Sequence, residues 1–526
     1  MFLILSASKD TYVTNKIIDN TYRVTDTNIG VASTLDLFKL WQESTFLSGS
    51  ARVTGSVQEL SRLLVKFDYG RLGALTSSIL NINHPSFKCT LKMFDINGGQ
   101  GVPSNFTVVC HPLSHSFDEG IGRDVISFKD VGTANFITAS YNSDTSTNNA
   151  WFVSGANASG SLGDTNIDII ERDNVGASNP NAPFFKEQYF STGRENLAID
   201  VTSLVSASLA QKLVNHGFRL AFTSSQEWDH KTRFVKRFGS RHVSNRKLRP
   251  RLEVTFDDSI IDHHKNFFFD LSGSLFLQNY HRGQAAAIFS GSSLTPLGGQ
   301  KCMVLELVTG SFMTSSHVSQ HTGSTNLIGM PGLYSASFCI PFVSGGLVHS
   351  GTGWSGDTIR DFARKSGSLT FETYWKSSDR TIGFYTGSLK IKTIERSAFS
   401  MTAQRLDLVV TNARSSYKKV EKVKFRVFVY DLDKQRSAGR IPISIGSEIL
   451  DRVYYSVRDI NSGEVVIPFE TVRNGTRLST DSDGLFFEMF MEDLTIGRMY
   501  TFDFLINDRG VEFVEEATNV AFRVES

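Results

Sequence analysis

The stretch Val423-Lys-Phe-Arg-Val-Phe-Val-Tyr430 decides the fold class, because it begins by alternating apolar and polar residues and is rich in β-branched and aromatic side chains. Successive side chains of a strand point to opposite faces of a sheet, so a period of two predicts a half-buried β-strand. Similar runs, each bounded by turn residues, recur at Leu63–Phe67, Thr90–Phe94, Phe106–Val109, Arg251–Phe256 and Leu369–Tyr374.

Turn residues between these runs favour tight hairpins, as at Asn474-Gly and Asp483-Gly. Helical periodicity is rare. The best helix candidate is residues 202–210, where Leu204, Val205 and Leu209 share one face and Asp200 or Thr202 can cap the first turn. The sequence therefore predicts an all-β protein with several β-sandwich domains in series.

Composition shifts divide the 526 residues into three predicted domains. Residues 1–258 form a first β-sandwich that carries a long polar insert at 130–190. Residues 259–395 form a second, Ser/Gly-rich sandwich, and residues 396–526 form a C-terminal immunoglobulin-like sandwich whose strands recur every 8–15 residues or so.

The charge balance and the lengths of the apolar runs exclude several classes of function. With 54 Lys+Arg against 53 Asp+Glu, the net charge of +1 gives no global field that would attract nucleic acid or an anionic membrane. No apolar run approaches the roughly 18–20 residues that cross a bilayer, and residues 1–6 do not resemble a secretory leader. We expect neither a nucleic-acid partner nor a membrane.

Cysteine, histidine and glycine spacings carry no motif for chemistry. The four cysteines, Cys89, Cys110, Cys302 and Cys339, form no CxxC pair, so we expect buried reduced thiols, with a Cys89–Cys110 bridge as the alternative. The sequence lacks a metalloprotease helix motif, a nucleophile elbow and a phosphate loop. The carboxylates Asp118 and Glu119 are expected to be turn and surface charges.

Residues 481–488 resemble the start of a calcium loop, but a hairpin turn explains them better. We therefore expect no catalytic residue, no cofactor, no metal and no enzymatic activity.

Three segments are candidates for contacts with partners, because of their length, charge or glycine content: the insert at 140–190, the basic segment 230–251 and the loop 344–356. The basic segment carries nine Lys/Arg, among them Arg237 and Arg241. It contacts either an acidic surface, a glycan or a nucleic-acid backbone, or it is a solvated sandwich edge.

Trp151, Trp228 and Trp354 are the loop-placed aromatic residues. Each is a candidate assembly or ligand contact, or else a core residue.

The first block resembles the DNRLRE-type β-sandwich domain, a jelly-roll-like module similar to carbohydrate-binding modules. The resemblance lies in an ordered series of motifs: Asp10-Thr-Tyr-Val13, Asn28-Ile-Gly30, Leu63–Asp68, Ser116-Phe-Asp-Glu-Gly120, Ile199–Val205, Gly239-Ser-Arg241 and Arg249–Thr255. The sequence departs from the pattern at Phe117, where the family usually has Trp, and in the long insert. The resemblance implies a sandwich, with a host glycan as a possible ligand.

The whole chain resembles virion structural proteins of contractile-tailed bacteriophages, especially those of marine and cyanobacterial hosts. The residues that carry this resemblance are Phe2–Val13, Arg477–Glu488 and Thr495–Asp503. It implies a non-enzymatic subunit of the tail, baseplate or neck, assembled into the virion in the host cytoplasm. Its partners would be other virion proteins or copies of itself. The alternative is a carbohydrate-binding, host-attachment protein that uses the jelly-roll domain.

Overall fold

The computed structural model describes residues 1–19, 21–48, 51–76, 79–96, 101–126, 128–142, 147–173, 182–282, 284–291, 295–322, 330–342, 358–393, 405–433, 446–508, 510–517 and 520–526. Over these residues the protein is all-β, with several sandwich-like domains in series, as the sequence predicts. The chain forms two compact units. The N-terminal unit comprises residues 3–73 and 88–254, and the C-terminal unit comprises residues 1–2, 74–87 and 255–526.

The strands and helices up to residue 255 are short, apart from the first, fourth and fifth strands. They are β1 (Phe2–Thr14), β2 (Ile17–Ile18), β3 (Tyr22–Arg23), β4 (Thr34–Ser48), β5 (Ala51–Phe67), α1 (Gly70–Thr76), β6 (Lys88–Met93), β7 (Phe106–Pro112), β8 (Thr138–Asn142), β9 (Thr147–Ala150), β10 (Ser159–Ser161), β11 (Ile169–Asp173), β12 (Ala182–Pro183), β13 (Lys186–Phe190), β14 (Leu197–Asp200), α2 (Thr202–Leu209), β15 (Phe218–Phe222), α3 (Ser224–Trp228), β16 (Arg233–Gly239) and β17 (Arg251–Thr255).

Most strands of the N-terminal unit join one sheet in the order β13-β7-β15-β5-β1-β17-β6-β14, and β4 links β5 to β16. The predicted alternation places side chains correctly: in β6, Cys89, Leu91 and Met93 are buried while the residues between them are partly exposed. The predicted helix is α2, with Leu204 and Val205 buried.

The long polar insert at 130–190 contains strands and buried apolar residues. Its described part contains β8 to β12, and Trp151, Ala156 and Ile169 join a buried cluster with Val13 and Leu64 of the sheet. Apolar residues spaced through a polar stretch give no periodic signal, so the sequence could not reveal this small core. Residues 143–146 and 174–181 lie outside the described residues.

The C-terminal unit contains the strands of the second and third predicted domains. They are β18 (Phe267–Phe268), β19 (Ser272–Gln278), β20 (Tyr280–His281), β21 (Gln284–Ala285), β22 (Phe289–Ser290), β23 (Thr295–Pro296), β24 (Met303–Thr309), β25 (Phe312–Gln320), β26 (Leu333–Cys339), α4 (Ile359–Ser366), β27 (Ser368–Ser377), β28 (Gly383–Lys392), β29 (Leu406–Val410), β30 (Ser416–Lys418), β31 (Lys422–Asp431), β32 (Val453–Asp459), β33 (Val465–Ile467), β34 (Ser479–Asp481), β35 (Gly484–Phe490), β36 (Met499–Asp508), β37 (Val511–Glu516) and β38 (Phe522–Glu525).

Residues 267–392 form a sheet in the order β18-β28-β27-β24-β25-β26-β19. Residues 406–525 form two sheets, β29-β31-β35-β34 and β30-β38-β36-β32-β33, with β37 paired to β36. Aromatic rings fill the space between these two sheets: Phe425 of β31 packs edge-on against Phe502 of β36, with centroids 4.8 Å apart. Tyr455 stacks on Phe487 at 4.3 Å. Such pairs stabilise a sandwich core beyond their buried area.

The hairpin predicted in place of a calcium loop is confirmed, because β34 and β35 pair antiparallel around Asp481↔Gly484. All four cysteines are free; Cys89 and Cys110 are buried, but Cys339 is exposed, which contradicts the expectation of four buried thiols. Within the described residues, no helix is long and apolar enough to span a membrane.

Candidate functional site

The residues of four separate motifs meet in the N-terminal unit, beginning with Asp10 of β1. The Asp10 side chain is fully buried. Its Oδ2 accepts a hydrogen bond from the backbone N–H of Arg241, whereas Oδ1 has no hydrogen-bond partner among the described residues. Burial raises the pKa of Asp10 to about 7, against the lowering effect of that hydrogen bond.

Glu119 reaches the same place from the loop before the insert. Its Oε1 accepts from the backbone N–H of Asp10 at 2.9 Å and lies 2.9 Å from the Nε of Arg241. Glu119 is only partly exposed, so the expectation that this carboxylate is a surface charge is wrong.

Asn28 holds the Glu119 loop in position. Its side-chain amide donates to the Glu119 carbonyl at 2.8 Å and to the Ala134 carbonyl at 2.9 Å, and its Oδ1 accepts from the N–H of Gly122 at 2.8 Å. The backbones pack so closely that a Cβ on Gly30 would lie 1.9 Å from the Glu119 carbonyl oxygen. The Asn-x-Gly motif therefore positions the loop through one amide and one close backbone approach.

Arg241 and His242 follow β16 and complete the group. Arg241 lies on the Glu119 carboxylate through Nε, and one of its terminal nitrogens donates to the carbonyl of Ser8. The Nε2 of His242 is 3.3 Å from Glu119 Oε1 and accepts a hydrogen bond from Arg241 Nε at 3.2 Å. One ligand-type atom from each of Asp10, Glu119 and His242 lies within 4.8 Å of the others. We call these three residues the Asp10–Glu119–His242 cluster.

Several positive charges of the basic segment 230–251 are paired with acidic side chains of the N-terminal unit. Arg233 forms an ion pair with Asp229. Hydrogen bonds from Arg233 and Lys39 hold the pKa of the Asp229 carboxyl far below its usual range, although burial by itself would raise it. Lys236 is fully buried, where its ammonium binds Asp95 and the carbonyl oxygens of Gly193 and Glu195.

Two candidate contacts of this segment are also paired. Arg237 makes a two-bond ion pair with Asp36, each bond 2.7 Å, and Arg241 binds Glu119. The segment therefore offers less free positive charge than its nine Lys/Arg suggest. The sequence does not reveal this, because Asp36, Asp95 and Glu119 lie far from the segment along the chain.

The three candidate tryptophans have different fates. Trp151 is 5% exposed and its indole N–H donates to the Asn135 carbonyl, so it is a core residue and not an exposed platform. Trp228 is 64% exposed at the end of α3. Trp354 and the loop 344–356 lie outside the described residues.

One buried carboxylate, that of Asp168, organises the insert. Asp168 is fully buried and accepts hydrogen bonds from the backbone N–H groups of Phe152, Val153 and Ala158 and from the His115 ring. Burial raises the pKa of Asp168, but these hydrogen bonds outweigh burial and lower it overall. His115 and Asp168 resemble a catalytic His-Asp dyad only in composition. The other hydrogen bonds of Asp168 hold the backbone of residues 152–158 in place.

A buried ion pair ties the insert to the sheet. Arg62 of β5 and Glu227 of α3 form two hydrogen bonds, of 3.0 and 2.6 Å, and each side chain is 3% exposed. Arg62 also donates to the Gly155 carbonyl at 2.8 Å, and the buried Arg219 donates to the Ala156 carbonyl at 3.0 Å. The sequence gives no sign of these contacts; Arg62 and Glu227, for example, lie 165 residues apart.

Comparisons with known proteins identify no family for this chain. No family model matches it, and no curated protein matches it. Among solved structures it is similar to a protein from Corynebacterium diphtheriae described as membrane anchored, at 9% identity and a TM-score of 0.14, over 94% of this chain and 97% of that chain. A TM-score this low carries no argument about fold or function.

Proposed function

We propose that this chain is a non-enzymatic structural subunit of a tailed-phage virion, in the tail, baseplate or neck, and that it acts through protein–protein contacts. The proposal begins from the sequence resemblance to such proteins. The observation that carries it further is a long two-stranded arm at one end of β4 and β5.

The arm consists of residues 40–48 and 51–59. β16 pairs with β4 only as far as Lys39, and β1 pairs with β5 only as far as Ser61. Beyond these points β4 and β5 pair with each other alone in the described ladders, from Leu40↔Glu59 to Ser48↔Ala51. At about 3.4 Å per residue the arm is about 30 Å long.

Two-stranded ribbons are marginally stable in water unless something covers them. Their free backbone edges also pair readily with a strand of another chain. An arm about 30 Å long therefore supports a role in which a neighbouring subunit covers it. That subunit would be a second copy of this chain or another virion protein.

The test is the composition of purified virions. Density-banded particles from infected cultures are analysed by peptide mass spectrometry, and the purified chain by light scattering. We expect stoichiometric amounts of the chain in the particles. A free monomer that is absent from particles would overturn the proposal.

A variant with residues 43–56 replaced by Asn-Gly tests the arm itself. We expect it to fold, as judged by circular dichroism and thermal unfolding, but not to enter particles. Tyr189→Ala, which removes an exposed aromatic side chain outside the arm, is the control and should enter normally. Normal incorporation of the shortened variant would show that the arm is not needed for assembly.

A carbohydrate-binding function is the second candidate, and one surface favours it. Trp228 is 64% exposed, and nearby in sequence His230 stacks on Trp41 with ring centroids 4.5 Å apart. Flat exposed aromatic faces suit sugar rings. A glycan array with the wild-type chain, with Trp228→Ala and with Tyr189→Ala as the control for a remote exposed aromatic residue tests this. Absence of any binding by the wild-type chain would exclude it.

A further inference from the structure

We propose that Asp10, Glu119 and His242 form a binding site for a divalent transition-metal cation of the zinc class. This inference does not depend on the proposed function. It rests on three potential ligand atoms that lie within 4.8 Å of one another, and on a buried oxygen of Asp10 that has no hydrogen-bond partner among the described residues.

The first atom is Asp10 Oδ1. It belongs to a fully buried side chain and has no hydrogen-bond partner among the described residues. An unsatisfied carboxylate oxygen removed from water is costly, and proteins normally compensate for it with a donor or a cation. The other oxygen, Oδ2, is already bound to the Arg241 N–H, so the deficit is confined to Oδ1.

The second and third atoms are Glu119 Oε1 and His242 Nε2, which are 3.3 Å apart. The Nε–H of Arg241 can only donate, and it points at His242 Nε2 at 3.2 Å, so that nitrogen carries a lone pair. Two acceptor atoms then lie 3.3 Å apart, with the Arg241 Nε 2.9 Å from Glu119 Oε1 and 3.2 Å from His242 Nε2. A proton on Nε2 could form a hydrogen bond to Glu119 Oε1, but the Nε2–H and the Arg241 Nε–H would then be two donors pointing at each other. A cation bound by Asp10 Oδ1 supplies the partner that this buried oxygen lacks, with Glu119 Oε1 and His242 Nε2 as further ligands.

The donor set indicates which class of cation fits. One neutral imidazole and two carboxylates suit zinc and its neighbours, whereas calcium and magnesium prefer oxygen ligands alone. The three ligand atoms lie within 4.8 Å of one another, which a metal at about 2.0–2.2 Å from each can bridge after small side-chain rotations.

An access route from solvent exists on the His242 side. Ser6, Ala7, Arg241, His242 and Arg249 line a cavity of about 340 Å³.

The experiment is a titration of the full, tag-free chain with Zn²⁺ by isothermal calorimetry, with thermal unfolding in parallel and Ca²⁺ and Mg²⁺ as comparison ions. Cys339→Ser serves as the background for all variants, because the exposed thiol of Cys339 could bind zinc. We expect one Zn²⁺ per chain, a rise in Tm with Zn²⁺, and much weaker binding of Ca²⁺ and Mg²⁺.

Two variants test the ligands, and one controls for surface histidine. His242 is partly exposed, so His242→Gln should fold; it and Asp10→Asn should each weaken Zn²⁺ binding at least about tenfold. His230→Gln, which removes an exposed imidazole elsewhere, should bind as the background does. No binding by the background, equal binding by His242→Gln, or a preference for Ca²⁺ that His242→Gln leaves unchanged would each overturn the proposal.

Discussion

Replacing Arg62 by Met is expected to destabilise the N-terminal unit by about 4 kcal/mol. The side chains of Arg62 and Glu227 are each 3% exposed and share two short hydrogen bonds, so removal of the cation leaves a buried, uncompensated carboxylate. Breaking one partner of a buried pair costs about 3–5 kcal/mol. The hydrogen bond from Arg62 to the Gly155 carbonyl is lost as well, at about 1 kcal/mol.

The double variant Arg62→Met/Glu227→Leu separates these terms. It leaves no unpaired charge, so its cost should fall to about 1–2 kcal/mol, most of it from the lost contact with the insert. The coupling energy between the two positions should therefore exceed about 2 kcal/mol.

Urea unfolding gives the stability of each variant, provided that the slope of the transition stays that of the wild type. Hydrogen exchange of peptides that cover residues 151–158 reports the insert separately, and we expect faster exchange in both variants. A cost below about 1 kcal/mol for Arg62→Met, or unchanged exchange at 151–158, would refute the claim that the buried pair ties the insert to the sheet.

Three further predictions follow from buried side chains. Burial raises the pKa of Asp262 from 3.8 to about 7, so the folded state binds a proton more tightly than the unfolded state and stability falls as pH rises from about 4 to 7. Asp262→Asn should lack this pH dependence and should be about 2–4 kcal/mol more stable than the wild type at pH 8. Urea unfolding at pH 5 and pH 8 measures both effects. Trp151→Ala should cost about 3–5 kcal/mol and Trp228→Ala less than about 0.5 kcal/mol by thermal unfolding, because one is buried and the other is 64% exposed; similar costs would contradict the placement. Lys236→Met should cost about 3–5 kcal/mol, since it strands a carboxylate and two carbonyl groups, whereas the part-exposed Arg237→Met should cost about 1 kcal/mol; chemical denaturation that ranks them in reverse would reject this.

The sequence by itself determined the fold class and many elements. The strands β6, β27 and β31 lie where alternation predicts them, the helix α2 lies at 202–209, and the turn at Asp483-Gly is a hairpin. Alternation, helical spacing and turn chemistry are local properties, set by a few neighbouring residues. They survive in any tertiary context that buries one face of the strand.

Only the tertiary structure decided which charges and aromatic groups are free. It neutralised the basic segment at Arg237 and Arg241, and it made Trp151 a core residue while Trp228 stayed exposed. It also brought Asp10 to Glu119, 109 residues away. Such meetings depend on how distant strands pair across the sheet, and a single sequence carries no local signal of that path.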